Sequence, residues 1–272
     1  MPLHRGRAEG TKRHRDCPGT RMADKKHAYF RFYGGLNDFL PPHDRQANLR
    51  YSFWGRPAVK DAIEAQGIPH TEVDLILANG TPVSFEAPLR RGARVSVYPW
   101  IRALDRPPAA LRPPLPSPVR FVCDVHLRRL ARHLRMLGFD TIIPASASDE
   151  RLAQIATDES RVLLTRDVGL LKRGGVRLGL FIRSQDPETQ LREVLGRCEI
   201  GRDDVRPFTL CLDCNTPLVS APPSKIDEDV PPHARQANDT FTYCPDCDSV
   251  YWNGTHVDAM RRLMRRVFDA LR

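Results

Sequence analysis

Two Cys-x-x-Cys pairs near the C-terminal end of this chain constrain its fold more than any other feature of the sequence. The four residues are Cys211, Cys214, Cys244 and Cys247. Each pair can supply two thiolates to a tetrahedral Zn²⁺ ion, and two pairs complete a four-sulfur site. One pair alone is also typical of redox proteins, whereas two pairs indicate closed coordination. A closed site has no open position for water, so the sequence predicts a structural zinc ion in a zinc ribbon, followed by a basic helix, over residues 207–272.

The composition favours a soluble protein of the cytoplasm. No window reaches the roughly eighteen consecutive apolar residues of a membrane helix, and the N-terminal segment lacks the apolar middle of a secretion signal. We therefore expect no membrane partner. In a reducing compartment the seven cysteines are better explained by metal binding than by a disulfide framework. The length of 272 residues favours more than one domain.

The positive charge of the chain is concentrated at its N-terminal end. The formal net charge is +9, and residues 1–27 hold eight Lys and Arg residues against three Asp and Glu residues. This segment is predicted to be a disordered basic leader. Two interpretations stay open, nucleic-acid binding and a true start site at Met22, and the leader is assigned no function.

Residues 28–104 are predicted to form a small domain of their own. The strand AYFRFYGG precedes the helix PAVKDAIEAQG, the hairpin VDLILANGTPVSF turns at Asn79-Gly80, and RVSVYP supplies another strand. This order resembles the ubiquitin-like β-grasp fold of bacterial sulfur-carrier proteins. Sulfur carriers end in a free Gly-Gly carboxyl group, whereas this chain continues through Tyr98-Pro99-Trp100. We therefore expect the domain to dock a protein partner rather than to transfer sulfur.

A proline-rich linker over residues 105–118 marks the next boundary, since PPAALRPPLPSP holds six prolines and disfavours both helix and sheet. From Val119 to about residue 200, short apolar strands alternate with amphipathic helices. Such alternation predicts a parallel sheet with helices packed on its faces. The fold class is therefore α/β.

Acidic side chains follow the predicted strands of this second domain. They are Asp124 near the end of VRFVCDV, Asp149 and Glu150 at the start of the helix after TIIP, Asp167 after RVLLT-Arg166, and Asp186 after LGLFIR. Because the carboxyl ends of parallel strands meet at one edge of a sheet, we expect these carboxylates to lie close together.

Clustered carboxylates repel one another unless a cation lies between them, and their oxygen atoms suit Mg²⁺ or Mn²⁺. Such an ion can orient water for attack on a phosphodiester. Taken singly, each acid is also explained by helix capping or turn chemistry. Asp124 and Asp167 lead as candidate catalytic residues, because a charge inside the apolar strand at Asp124 is costly without a partner. Asp149 follows, and then Asp186 and Glu150.

The helix LRRLARHLRML next to Asp124 is predicted to be amphipathic. Its apolar face carries Leu127, Leu130, Ala131, Leu134 and Leu137. Its other face carries Arg128, Arg132 and Arg135. Such a stripe is either a solvated surface or a binding site for RNA phosphates beside the acids.

The run FVCDVHLRRLARHLRMLGFDT, followed by DERLAQIA, RVLLTRD and the Cys-x-x-Cys pairs, resembles the Mut-seven C-terminal RNase family, which is similar to PIN-domain nucleases. The resemblance covers about residues 119–260, and the segment before it resembles the partner domain often fused to this family. It implies a PIN-like fold and metal-dependent RNase activity, with Asp124, Asp149 and Asp167 as candidate acids.

The sequence thus leads to two hypotheses about function. The first is a metal-dependent ribonuclease with a PIN-like nuclease domain over residues 119–200, whose zinc ribbon helps to hold the RNA. The alternative is a non-catalytic RNA- or ribosome-binding adaptor. Asp124→Asn and Asp167→Asn separate them, since both changes should abolish cleavage and largely spare RNA binding.

Overall fold

The computed structural model describes residues 24–100 and 109–271. The predicted basic leader therefore lies outside the described residues except for its last four positions, and so does the first part of the predicted linker. Within the described ranges the strands form three sheets, each with its own arrangement.

The N-terminal sheet has five strands in the order β2-β1-β5-β3-β4. Strands β1 and β5 are parallel, and the other neighbouring pairs are antiparallel. One helix, α1, packs on the sheet through buried apolar side chains. The elements are β1 (Lys26–Phe32), β2 (Leu49–Phe53), α1 (Val59–Ala65), β3 (Leu75–Ala78), β4 (Thr81–Pro82) and β5 (Arg94–Tyr98). This arrangement confirms the β-grasp prediction.

The turn between β3 and β4 forms at the predicted Asn79-Gly80 pair. Both residues have positive φ angles, 50° for Asn79 and 84° for Gly80. Two consecutive left-handed residues are typical of the tight turn that matches the twist of a hairpin, and Asn-Gly is the pair that adopts it at least cost. The local sequence was therefore sufficient to predict the position of this turn.

The central part is a four-stranded parallel sheet in the order β7-β6-β8-β9. Helices alternate with its strands, as predicted, and one short helix after β8 was not foreseen. The elements are β6 (Phe121–Cys123), α2 (Arg128–Met136), β7 (Thr141–Ile142), α3 (Asp149–Asp158), β8 (Val162–Thr165), α4 (Val168–Leu171), β9 (Gly179–Phe181) and α5 (Pro187–Arg197).

Alternating side chains of the central strands build two cores. In β6, Phe121 and Cys123 join the core under α2 and α5, whereas Val122 joins the core under α3 and α4. Burial on both faces explains why these strands are continuously apolar rather than alternating. The predicted apolar face of α2, from Leu127 to Leu137, is fully buried in the first core, which confirms that part of the prediction.

The C-terminal part holds a small antiparallel sheet in the order β10-β11-β12 and three helices. The elements are β10 (Val219–Ser220), α6 (Pro223–Asp229), α7 (Pro232–Ala237), β11 (Phe241–Tyr243), β12 (Val250–Trp252) and α8 (Thr255–Asp269). The sheet carries the second cysteine pair between β11 and β12. Helix α8 leaves this module, and its Val267 and Phe268 are buried in the core under α2 and α5.

A buried carboxylate joins the N-terminal domain to the central sheet. The side chain of Glu72 is 2% exposed and accepts hydrogen bonds from Arg197 at 2.8 Å and Arg183 at 3.3 Å. Its other oxygen lies 2.8 Å from the backbone nitrogen of Phe181 in β9. His70, also buried, lies 2.8 Å from the carbonyl oxygen of Val176. These contacts pack the N-terminal domain directly against β9.

Candidate active site and metal centre

Asp124 lies immediately after β6 and caps the turn that leads into α2. Its Oδ1 accepts a hydrogen bond from the backbone N–H of His126 at 3.2 Å, and its Oδ2 accepts one from the Thr165 hydroxyl at 3.1 Å. The strand ends at Cys123, two residues before the end of the predicted strand VRFVCDV. The charge of Asp124 is therefore not inside the strand, as the sequence argument assumed, and its side chain is half-buried at the strand end.

Thr165 connects Asp124 to Asp167. It is the last residue of β8, it is fully buried, and its hydroxyl oxygen also accepts a hydrogen bond from the Asp167 N–H at 3.0 Å. Asp167 then caps α4, since its Oδ1 accepts the N–H groups of Gly169 at 2.6 Å and Leu170 at 3.3 Å. Thr165 was not among the predicted site residues. A polar residue at the end of the apolar run RVLLT was the signal that could have found it.

Asp149 and Glu150 begin α3, after the Ser148 cap. Both are paired with Arg173, which lies 3.5 Å from Asp149 and 2.6 Å from Glu150. The N–H groups at the helix start and Arg173 lower the pKa of Glu150. Arg173 also was not among the predicted site residues, and its positive charge balances the two carboxylates on this side of the site.

The three acids Asp124, Asp149 and Asp167 line one cleft of about 500 Å³ at the carboxyl end of the parallel sheet. Arg166 also lines it, although its guanidinium donates to backbone carbonyls beyond β9. Asp186 does not line this cleft. It is exposed and caps α5 by accepting the N–H and hydroxyl of Thr189, and these bonds lower its pKa. The structure thus brings three of the five candidate acids to this cleft, and neither Glu150 nor Asp186 is part of its lining.

The cleft acids are spread more widely than metal ligands in a closed site. In the part of the chain that the structure describes, the one group of three or more His, Cys, Asp or Glu side chains close enough to share an ion is the cysteine cluster. Asp124, Asp149 and Asp167 are therefore not arranged as a complete metal shell. Any ion in this cleft would need water or substrate oxygens among its ligands.

The three arginines predicted on one face of α2 have different environments. Arg128 is exposed and Arg132, also exposed, forms an ion pair with Asp213. Arg135 is 5% exposed, and its guanidinium donates to the carbonyl oxygens of Thr141, Leu212 and Asp213 at 2.7–2.9 Å. The prediction that Arg135 contacts RNA is therefore wrong, because the first cysteine knuckle covers it and burial lowers its pKa.

The four predicted cysteines form one cluster, in which all four sulfur atoms lie within 4.8 Å of one another. The sulfur atoms of Cys211 and Cys247, which belong to different pairs, are 3.6 Å apart. Four thiolates at about 2.3 Å from a tetrahedral ion would lie about 3.8 Å apart. The four cysteines can therefore hold a metal ion such as zinc, and the module is compatible with a zinc ribbon.

The two cysteine pairs have the same backbone geometry. Cys211 N–H donates to the carbonyl of Thr216 and Cys244 N–H to that of Ser249, five residues ahead in each case. The residue after each second cysteine is left-handed, with φ of 71° at Asn215 and 59° at Asp248. In the free thiols, the hydrogen bond with Ser249 lowers the pKa of Cys247 to about 6. Two equivalent knuckles therefore face each other across the cluster.

The first knuckle is attached to the central parallel sheet by specific contacts. Asn215 accepts the N–H of Thr141 at 2.8 Å and donates to Asp140 at 2.6 Å. Gly138, at φ +90°, passes so close to Arg206 that a Cβ would overlap the Arg206 carbonyl. A glycine is therefore required where α2 turns under the incoming chain.

Two family models match this chain. A family model described as the Mut7-C RNAse domain matches residues 119–264, and one described as Mut7-C ubiquitin matches residues 25–105. The crystal structure of H. volcanii small archaeal modifier protein 1 is 15% identical over 28% of this chain and 99% of that chain, with a TM-score of 0.23. Among curated proteins none matches. In the described residues, no helix combines the length and the apolar character needed to cross a membrane.

Proposed function

The chain belongs to the Mut7-C RNAse family, and from this premise we propose that it is a metal-dependent ribonuclease that cleaves RNA phosphodiester bonds in the acidic cleft. One observation carries the proposal. The Thr165 hydroxyl joins Asp124 to Asp167 at the carboxyl ends of two neighbouring parallel strands, β6 and β8. That edge of a parallel sheet is where ligands bind in open α/β folds.

Both carboxylates keep acceptor capacity for a cation. An ionised carboxylate offers about four lone-pair sites, and Asp124 uses two of them on His126 and Thr165. The Oδ2 atom of Asp167 accepts no hydrogen bond within the described residues, because both bonds from α4 end on Oδ1. These hard oxygen donors fit Mg²⁺ or Mn²⁺, which commonly bind through one or two carboxylates, water and a substrate phosphate.

A bound ion would activate water and neutralise charge on the leaving oxygen. The chain itself contributes orientation. Thr165 and the helix N–H groups hold Asp124 and Asp167 in fixed directions before any substrate arrives. Arg128 is exposed and without an ion-pair partner in the described residues, so it is available for a phosphate beside the cleft. Arg132 is exposed too, and RNA would compete with Asp213 for it.

A second candidate function is a non-catalytic RNA- or ribosome-binding adaptor. The wide spacing of the cleft acids favours it, and so does the pairing of Asp149 with Arg173. An adaptor would bind RNA through the same basic residues and leave it intact. The two functions therefore differ in cleavage, not in affinity.

Cleavage of labelled single-stranded and structured RNAs by the purified chain tests the proposal. Each reaction contains Mg²⁺, Mn²⁺ or no divalent ion. The same reactions are run with Asp124→Asn, Asp167→Asn and the control Asp186→Asn. We expect metal-dependent cleavage that falls about 100-fold or more in the first two variants, because each loses a charged ligand that positions the ion. Asp186→Asn should cleave normally, since its carboxylate caps α5 outside the cleft.

RNA affinity is measured on the same proteins without divalent ion. The ribonuclease proposal requires the two cleft variants to bind RNA about as well as the unchanged chain. If the chain binds RNA but does not cleave it under any metal condition, the adaptor function is the one supported. If Asp124→Asn and Asp186→Asn cleave RNA equally well, this cleft is not the active site.

For the cysteine cluster we propose a structural zinc ion. Support comes from four thiolates on two equivalent knuckles and from the closed donor set, which leaves no ligand position for water. Reduced thiols and an RNA substrate both favour a cytoplasmic location.

A further inference from the structure

The outer face of the N-terminal sheet has an unusual composition for a solvent-exposed surface. Along β1, Ala28, Phe30 and Phe32 point into the domain core, so His27, Tyr29 and Arg31 lie on the opposite face. Helix α1 packs on the core side, which leaves this face uncovered by the described helices of the domain. We call it the outer sheet face.

A row of three side chains crosses the centre of this face. Tyr29 of β1 lies directly opposite Arg50 of β2 and directly opposite Arg94 of β5. Tyr29 is 43% exposed, and both arginines are exposed. Neither guanidinium has a hydrogen-bond or ion-pair partner among the residues that the structure describes. A central aromatic ring thus stands between two free cations whose strands are about 10 Å apart.

More aromatic rings and cations surround this row. Trp54 is 60% exposed with the ammonium of Lys25 above its ring. Tyr33 and Tyr98 stack at 4.4 Å between ring centroids, and the guanidinium of Arg31 lies over Tyr33. Rings and cations thus lie next to one another at three places on this face, which is a composition suited to stacked bases and phosphates.

Three acidic residues of the domain have partners that lie outside the domain. Asp38 and Glu72 pair with Arg183 of the nuclease domain, and Asp74 accepts the N–H of Arg112. The cations on the outer sheet face, Lys25, Arg31, Arg50 and Arg94, have no ion-pair partner among the described residues, so the face keeps a positive field. Desolvation and then the charges of Arg50, Lys25 and Arg91 lower the pKa of His27 at the end of this face, which is consistent with that field.

We propose that the outer sheet face binds single-stranded RNA, with a base stacked on Tyr29 and the flanking phosphates held by Arg50 and Arg94. The ubiquitin-like domain would then be the substrate-holding part of the molecule rather than a dock for a protein. That RNA is the cleavage substrate rests on the ribonuclease function proposed above, whereas the binding surface stands on its own geometry. An acidic protein segment is the rival occupant, but it offers no bases for the exposed rings.

The test is RNA binding by the full chain carrying Asp167→Asn, without divalent ion, so that no cleavage occurs. Fluorescence anisotropy follows a short labelled oligouridylate and an RNA duplex of the same length. The variants are Tyr29→Ala, Tyr29→Phe and the pair Arg50→Gln/Arg94→Gln. The control pair Lys60→Gln/Arg177→Gln also removes two positive charges, one from α1 and one from the loop before β9. Neither side chain has a partner among the described residues.

We expect Arg50→Gln/Arg94→Gln to weaken single-strand binding about tenfold or more and to reduce the salt slope by about 1.4, since each lost phosphate contact on a single strand contributes about 0.7. Tyr29→Ala should weaken binding to oligouridylate about tenfold and leave the duplex unaffected, because a paired base cannot stack on the ring. Tyr29→Phe keeps the ring and should restore binding, which also excludes misfolding as the cause.

Several results would overturn the proposal. One is equal affinity in Arg50→Gln/Arg94→Gln and in the control pair. Another is displacement of oligouridylate by polyglutamate as readily as by unlabelled RNA, which would indicate a surface for acidic protein. The readout is separate from cleavage. If the unchanged chain binds RNA on this face but never cleaves it, only the ribonuclease proposal fails. If the chain cleaves RNA and the outer-face variants bind RNA with unchanged affinity, only the proposal for the outer sheet face fails.

Discussion

The cysteine cluster and the acidic cleft are both built from side chains at turns, but they are assembled over different distances in sequence. Each cysteine knuckle is a local turn with its own backbone hydrogen bonds, and only two such turns have to meet. The cleft needs Asp124, Asp149 and Asp167 from three separate strand–helix junctions. Residue spacing in the sequence is therefore sufficient to predict the cysteine cluster, whereas the acidic cleft depends on the order of strands in the sheet.

The two regions also differ in what their side chains do for the fold. In the cleft, Asp124 and Asp167 accept hydrogen bonds from backbone N–H groups at helix starts, a role that asparagine can also fill. In the cluster, a thiolate ligand has no substitute among the neutral side chains. Substitution should therefore reduce stability at the cluster and chemistry at the cleft.

Helix α2 connects the two regions. Asp124 caps the turn that leads into it, and Arg135 in its last turn holds the carbonyl oxygens of Leu212 and Asp213 in the first knuckle. Four substitutions test this comparison on the free energy of unfolding, beginning with the largest expected effect.

Cys244→Ser should have the largest effect. A structural zinc site contributes on the order of 10 kcal/mol, and a serine hydroxyl does not replace the thiolate, so we expect loss of the metal and unfolding of the C-terminal module. Zinc content and thermal unfolding followed by circular dichroism measure the change. Cys198→Ser is the matched control, because Cys198 is equally a buried cysteine but lies outside the cluster. A stable, metal-free Cys244→Ser protein would contradict the structural role.

Arg135→Met should cost about 3 kcal/mol. The change keeps an apolar stem but leaves the carbonyls of Leu212 and Asp213 without their buried donor. Urea denaturation measures it, with Arg128→Met as the control on the exposed side of the same helix. The control should change stability by less than about 0.5 kcal/mol. Equal effects of the two changes would mean that Arg135 does not hold the knuckle.

Thr165→Val should cost about 1–2 kcal/mol and reduce cleavage about tenfold. Valine keeps the shape of the side chain, but it removes the donor to Asp124 and the acceptor for the Asp167 N–H. Thr165→Ser retains the hydroxyl and should retain cleavage. Urea denaturation and the RNA cleavage assay provide the two readouts. Normal cleavage by Thr165→Val would mean that the Thr165 link between Asp124 and Asp167 is not needed for activity. The main support for the proposed site would then be weakened.

Asp167→Asn should have the smallest effect on stability, below about 0.5 kcal/mol, because asparagine still accepts the N–H groups of α4. Asp167→Ala removes the cap and should cost about 1 kcal/mol. Both variants are compared by urea denaturation. If asparagine destabilised the chain as much as alanine, the negative charge itself would support the fold, and the contrast between cleft and cluster would fail.

The sequence was sufficient wherever a pattern is local. The Asn79-Gly80 hairpin, the apolar face of α2 and the approach of the two cysteine pairs follow from turn chemistry, helical spacing and ligand count. These features need no knowledge of distant parts of the chain.

Packing between distant segments explains what the sequence did not reveal. The helical pattern assigned Arg135 to the polar face of α2, but a knuckle more than seventy residues later covers that position. Asp186 carries the same strand-end signal as Asp167, yet it lies beyond an edge strand and serves only as a cap. The pairing of Arg173 with Asp149 likewise depends on a loop folding back over α3.

The position of Glu72 has a consequence for how the nuclease domain behaves alone. Strand β9 ends the parallel sheet, and the N–H of Phe181 faces away from β8 toward Glu72. An uncovered donor on an edge strand is a template for pairing with another chain. We therefore expect the N-terminal domain to prevent β9 from pairing with another chain. A fragment that begins near residue 119 should self-associate through β9 even if its cleft is intact.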